Sequence, residues 1–172
     1  EAISAFIQAF EHGKKIDNNE LILSVLFNLG VEYKNIGRYD TALTTLVYVK
    51  ELALQNDNLN IAFRALNSIG NTYIDLADYS KAQVAFIEAV ELNKKIDNEF
   101  YQLILTNNMG NIYFYISNYE KAIEYYYKTL EIAENMNNEL FINGSYGNIG
   151  IICMEVKAKI IKIIKEMMII II

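Results

Sequence analysis

Proline and tryptophan are absent from the chain, and cysteine and histidine each occur once. The single cysteine, Cys153, excludes an internal disulfide framework and suits a reducing, cytoplasmic setting. The single histidine, His12, leaves no material for a histidine-based metal cluster or an ordinary Ser-His-Asp arrangement. No lysine- or arginine-rich tract precedes the C-terminal segment, and the net charge is −6. A nucleic-acid binder would carry a basic face, so that class is disfavoured. No apolar run reaches the roughly 18 to 20 residues needed to span a bilayer, and Met167–Ile172 is far too short by itself. No targeting segment is visible, but the chain opens on Glu1, so that absence carries no weight. A phosphate-binding glycine loop is missing too. The nearest string, GSYGNIG at 144–150, has the wrong spacing and follows no strand. With no converging constellation, neither catalysis nor a cofactor or metal is expected.

What is present is apolar material and repetition. Hydrophobic residues make up 53% of the 172 and charged ones 21%, enough to build a core and to exclude wholesale disorder. Asparagine, isoleucine, lysine and tyrosine are abundant. All four are encoded by AT-rich codons, so this bias reports genome composition as well as selection. Gly30, Gly70, Gly110 and Gly150 stand forty residues apart. So do Tyr33, Tyr73 and Tyr113, then Tyr39, Tyr79 and Tyr119, then Ala42, Ala82 and Ala122. Leu29, Ile69, Met109 and Ile149 precede the glycines. Five columns in register without an insertion define a repeat. EAISAFIQAFEHGKKIDNNE at 1–20 lies over KAQVAFIEAVELNKKIDNEF at 81–100, so the chain opens inside a unit and reads as a piece of a longer array.

Within a unit the period is helical. Ala62, Leu66, Ile69, Gly70 and Tyr73 form one face, and Ala82, Phe86, Ala89 and Val90 form another. Gly37-Arg38, Ala77-Asp78 and Ser117-Asn118 separate the two helices. Polar breaks at 56–58, 97–98 and 137–138 end each unit, where asparagine and aspartate bond local backbone and tolerate left-handed conformations. Glycine in a helix interior costs about 1 kcal/mol relative to alanine, so one held at a fixed phase implies a close contact. The expected contact is a backbone approach between Gly70 and Ala82, with tyrosine and phenylalanine filling the space between units.

The strings GNTYIDLADYSKAQVAFIEAVEL and GNIYFYISNYEKAIEYYYKTLEI closely resemble tetratricopeptide repeats, in their L-G-x-x-Y, tyrosine-before-alanine and A-x-x-x-F/Y pattern. The forty-residue spacing resembles the longer class of that repeat, over roughly residues 1 to 155. The family's usual proline near the end of the second helix is missing, and polar breaks stand in for it. The resemblance implies an all-α, right-handed superhelical solenoid of antiparallel helix pairs. The register divides it into a partial unit at 1–18, complete units at 19–58, 59–98 and 99–138, and an irregular terminal unit at 139–172. It also implies that the first helices line a concave groove.

Asparagine rows supply the functional lead. Asn67 and Asn71 lie four apart on one first helix, and Asn107 and Asn111 repeat them on the next. Asn28, Asn108 and Asn148 occupy an adjacent column, with Ser68 in the second unit. An amide side chain both donates and accepts, so a row of them can bond the main chain of an extended peptide. The alternative is that these amides bond neighbouring repeats. Specificity would come from positions that vary between copies: Ser24, Arg64 and Ile104 in one column, Lys34, Ile74 and Phe114 in another. Arg64 and Lys34 would meet a carboxylate, and the three apolar residues an apolar side chain. His12 aligns with a second-helix position and Cys153 with the tyrosine column, so both are expected to be structural, the thiol buried. Tyr126 aligns with Phe86, which places it in the core and not in a binding platform.

After Gly150 the pattern fails. IICMEVKAKIIKIIKEMMIIII places Lys159 where the second tyrosine belongs and Lys162 where the alanine belongs. Three readings stand: a divergent terminal helix, a surface that packs on a partner or a second copy, or a change of reading frame in AT-rich DNA. An NYxKA-like string in another frame downstream of Glu155 would identify the last. The function expected is non-catalytic binding of a protein or peptide segment in the groove. The alternative is the sensory portion of a larger signalling protein, such as a histidine kinase or peptide-responsive regulator.

Overall fold

A computed structural model describes residues 2–15 and 18–171, without the side chains of residues 2, 3, 7, 165 and 167–171. The described residues form eight helices and no strand: α1 (Ala2–Lys15), α2 (Asn19–Asn35), α3 (Tyr39–Gln55), α4 (Leu59–Asp75), α5 (Tyr79–Ile96), α6 (Glu99–Tyr115), α7 (Tyr119–Asn135) and α8 (Glu139–Ile171). This is the all-α, tetratricopeptide-like architecture of adjacent helix pairs that the resemblance implies. Two compact units divide the chain, Glu1–Asn98 with α1 to α5 and Glu99–Ile172 with α6 to α8.

Helix ends recur every twenty residues. Gly37, Asp57, Ala77, Asp97, Ser117 and Asn137 all hold positive φ, between 52° and 75°. Within each compact unit such a turn reverses the chain, so that the next helix packs along the last. After Asp57, Ala77, Ser117 and Asn137 the residue that follows caps the next helix, as Asn18 caps α2. Asn18, Asn58, Asp78, Asn118 and Asn138 accept from the backbone N–H three residues on, at 2.9 to 3.3 Å. Such a cap satisfies an N–H that the helix itself cannot. Arg38 stands at the same position and makes no side-chain cap.

The first unit buries Ala42, Leu46, Val49 and Ala53 of α3, Ala62 and Phe63 of α4, and Ala82, Phe86 and Ala89 of α5, all at 0 or 1% exposure. In the second unit Leu103, Ala122, Tyr126, Ala133 and Ile152 are buried as fully. The nearest neighbours of the glycines are not the alanines. A Cβ built on Gly110 would come within 2.7 Å of the Tyr126 ring, one on Gly30 within 2.8 Å of Leu46, and one on Gly70 into the Phe86 ring. Each glycine is a socket for a large side chain four residues beyond the alanine. The rings therefore fill space inside a helix pair, not only between units. Gly150 has nothing within 4 Å of that position.

Candidate binding face of the first helices

In the first unit, α2 and α4 pack on each other directly. Two contacts between them involve residues singled out from the sequence. Lys34 Nζ pairs with Asp75 Oδ2 at 3.4 Å. The Arg64 guanidinium lies over the Phe27 ring, 4.3 Å from its centroid. Asn28 is exposed, while Ser24, Asn67, Asn71 and Ile74 are half-buried. The face therefore offers amides beside one cation held on an aromatic ring and a second beside a carboxylate. A cation–π contact at an exposed site contributes roughly 0.5–1 kcal/mol, enough to bias where the guanidinium points. Phe27 and Asp75 did not stand out in the sequence. The signal that would have found Asp75 is its separation from Lys34, one residue more than the repeat period.

The second unit treats the equivalent columns differently. Ile104 and Asn107 are half-buried and Asn108 is buried, at 7% exposure. Asn111 accepts a hydrogen bond from the Tyr126 hydroxyl at 2.9 Å. Burial, with the nearby Tyr115 second, pushes the Tyr126 hydroxyl well above its ordinary pKa, so it stays a neutral donor. Phe114 packs on Tyr119 at 6.0 Å between ring centroids and against the cluster of Ala122, Tyr126 and Ile152. Asn111 and Phe114 thus already serve the packing of their own unit.

Two expectations need correction. Cys153 is exposed, not buried. Its equivalent Tyr113 is covered because Tyr125 of α7 stacks on it at 5.3 Å and Lys121 lies over it at 5.2 Å. The residues forty positions further on continue α8 and do not return to cover Cys153. His12 is likewise exposed on α1. Among the described residues, no three His, Cys, Asp or Glu side chains group as metal ligands, and no helix is long and apolar enough to cross a membrane.

A family model described as a tetratricopeptide repeat matches residues 61–135. No curated protein matches the sequence. Among solved structures, aspartyl phosphate phosphatase F from Bacillus subtilis superposes with a TM-score of 0.82 at 15% identity, covering 93% of this chain and 42% of that one. BtubC (BKLC) from P. vanneervenii gives a TM-score of 0.76 at 18% identity, over 87% of this chain and 63% of that one. A Rap protein complexed with competence and sporulation factor gives 0.75 at 19% identity, over 83% and 40%. At these identities the likeness is one of fold. The chain spans less than two thirds of each of the three.

Proposed function

This chain is a tetratricopeptide repeat protein, and we propose that it acts as a non-catalytic scaffold that holds an extended peptide or protein segment along its first helices. The observation that carries this reading is the pair of half-buried amides at i and i+4 on a first helix, Asn67 and Asn71, beside exposed Asn28 and Arg64. Amides at that spacing match the alternating donors and acceptors of an extended main chain, which no aliphatic residue at the same place would do. Arg64, held over Phe27, adds a planar donor suited to a ligand carboxylate. Asn107 and Ile104 offer an amide and an apolar contact on the second unit's own first helix. A cytoplasmic setting belongs to the same reading, and no nucleic acid is expected as partner.

The test is selection of extended peptides from a displayed library, followed by titration against variants. Asn67→Ala with Asn71→Ala is expected to weaken every selected peptide at least about tenfold, or about 1.4 kcal/mol. Asn111→Ala must be read separately, because it also removes the acceptor for Tyr126. Selected peptides that bind the double variant as tightly as the parent would remove the reading.

A second reading is favoured by coverage alone. The chain spans 40 to 42% of the phosphatase and Rap neighbours, as a sensory segment of a longer signalling protein would. Coding sequence on either side of residues 1–172 that specifies a kinase or DNA-binding domain would establish it. Flanking sequence that only continues the repeat would exclude it.

A further inference from the structure

Helix α8 continues through the position where each complete repeat turns. Its first part packs on α7, burying Ser145 and Ile152. At Lys159 it reaches the beginning of α7. The Lys159 Nζ lies 3.4 Å from the Tyr119 hydroxyl and 4.6 Å from the centre of its ring, and Tyr119 is the first residue of α7. From Ile160 onward α8 therefore runs past the end of α7, for roughly 18 Å at 1.5 Å per residue. Ile160, Ile161, Ile163 and Ile164 are 43 to 54% exposed there. Just behind them, Ile123 of α7 with Ile152, Cys153, Val156 and Ile160 of α8 lines an apolar groove.

The apolar positions are spaced for pairing. Cys153, Val156, Ile160 and Ile163 alternate by three and four, and the sequence keeps the alternation at Met167 and Ile170. That is the seam of a helix pair. We propose that a second copy of this chain occupies the seam, its α8 antiparallel, with Ile160 against the second copy's Ile163 about a two-fold axis near residues 161 and 162. Residues 167–170 of the second copy then lie along the groove behind Val156.

Charge selects this occupant and this direction. Lys159 and Glu166 are seven residues apart on one flank of the seam. In the antiparallel register each Lys159 faces the second copy's Glu166, and symmetry makes the contact twice. A parallel register sets Lys159 against an isoleucine. A lipid surface is the other apolar partner such a helix could take. Four lysines against two glutamates give residues 155–172 a charge of +2, which leaves −8 on the rest of a chain whose total is −6. That body is repelled by an anionic bilayer. The segment also has no tryptophan, phenylalanine or tyrosine, the aromatic residues that anchor interfacial helices.

Sedimentation equilibrium of the full chain over a wide concentration range tests this. The expected species is a reversible dimer. Ile160→Glu and Ile163→Glu are each expected to shift it to monomer with the helical circular dichroism unchanged, since neither side chain is buried within one copy. Lys159→Glu is expected to weaken dimerisation at least about tenfold, near the lower end measured for close interfacial charge pairs, and adding Glu166→Lys to restore it. The antiparallel register separates the two Cys153 residues by about 25 Å, so mild oxidation is expected to leave the dimer non-covalent. A monomer at every concentration, an efficient disulfide-linked dimer, or a monomer that pellets with phosphatidylserine vesicles would each overturn the proposal.

Discussion

Helices α6 and α8 start from the same register forty residues apart, yet α6 ends after 17 residues and α8 runs for 33. After α6, Ser117 turns left-handed and Asn118 caps α7. The equivalent stretch of α8, Val156-Lys157-Ala158, stays helical. Local turn chemistry explains part of this, because the stretch has no glycine, asparagine or aspartate. It is not the whole cause. Ala77 holds the same left-handed conformation at φ 56°, although alanine loses about 1–2 kcal/mol there. A poor turn residue is tolerated when the helix behind it docks. What α8 lacks is the docking set. The column of Ala42, Ala82 and Ala122, each at 0% exposure, continues as Lys162, and the column of Leu46, Phe86 and Tyr126 continues as Glu166. Folding back would take an ammonium and a carboxylate out of water, at several kcal/mol each. In the extended helix the two remain solvated, 3.8 Å apart. Docking decides the turn, and the turn follows.

The sharpest break of this comparison is at the docked ring. Phe86→Ala is expected to destabilise the first unit by about 3–5 kcal/mol, because it empties a fully buried position. Glu166→Ala, at the same phase on α8, is expected to be neutral within about 0.5 kcal/mol at concentrations where the chain is monomeric. Chemical denaturation with amide exchange on each unit measures both, and equal losses would mean that α8 docks after all. The socket gives the next effect, with opposite signs. Gly70→Ala drives a methyl into the Phe86 ring and is expected to cost about 1–3 kcal/mol. Gly150→Ala meets open space inside a helix and is expected to stabilise by up to about 1 kcal/mol.

These sites separate what was legible in the sequence from what was not. The helices, their pairing and their breaks could be read because one residue per column carries each requirement: Gly70, Ala82, Asp78. The occupant of the glycine socket could not, because Ala82 and Phe86 share a helix face and only packing chooses between them. Cys153 was misplaced by the same route. Its column says tyrosine core, but what covers a column is the second helix, and here that helix does not return. The asparagine rows were legible as positions only. Asn28 and Asn108 share a column, yet one is exposed and the other 7% exposed. Side-chain partners such as Phe27 for Arg64 and Tyr126 for Asn111 depend on neighbours that the repeat pattern does not encode.

The turn itself gives a smaller, signed effect. Ala77→Gly relieves a strained left-handed residue and is expected to stabilise by about 1 kcal/mol. Lys157→Gly places the same residue at the same phase inside α8 and is expected to cost about 1 kcal/mol by loosening the helix there. If Lys157→Gly instead shortened α8 and buried its isoleucines, seen as protection of 160–164 from exchange, turn chemistry would outrank docking.

The least change distinguishes the polar refinement of a docked ring from its bulk. Tyr126→Phe keeps the ring in the Gly110 socket, as Phe86 fills that of Gly70, and removes only the hydroxyl that donates to Asn111. A loss of about 0.5–1.5 kcal/mol at neutral pH is expected, the worth of one ordinary hydrogen bond. The pH dependence is more specific. Burial raises the Tyr126 pKa above its ordinary 10.0, so the folded state favours the neutral hydroxyl. That contribution is complete below pH 10 and is lost as pH rises, because the unfolded chain ionises first. The parent's stability is therefore expected to fall above pH 10, and that of Tyr126→Phe to fall less steeply. Urea titrations at pH 8 and above pH 10 compare the two slopes. Identical slopes would place the alkaline loss on another tyrosine and reduce Tyr126 to a ring that fills a socket.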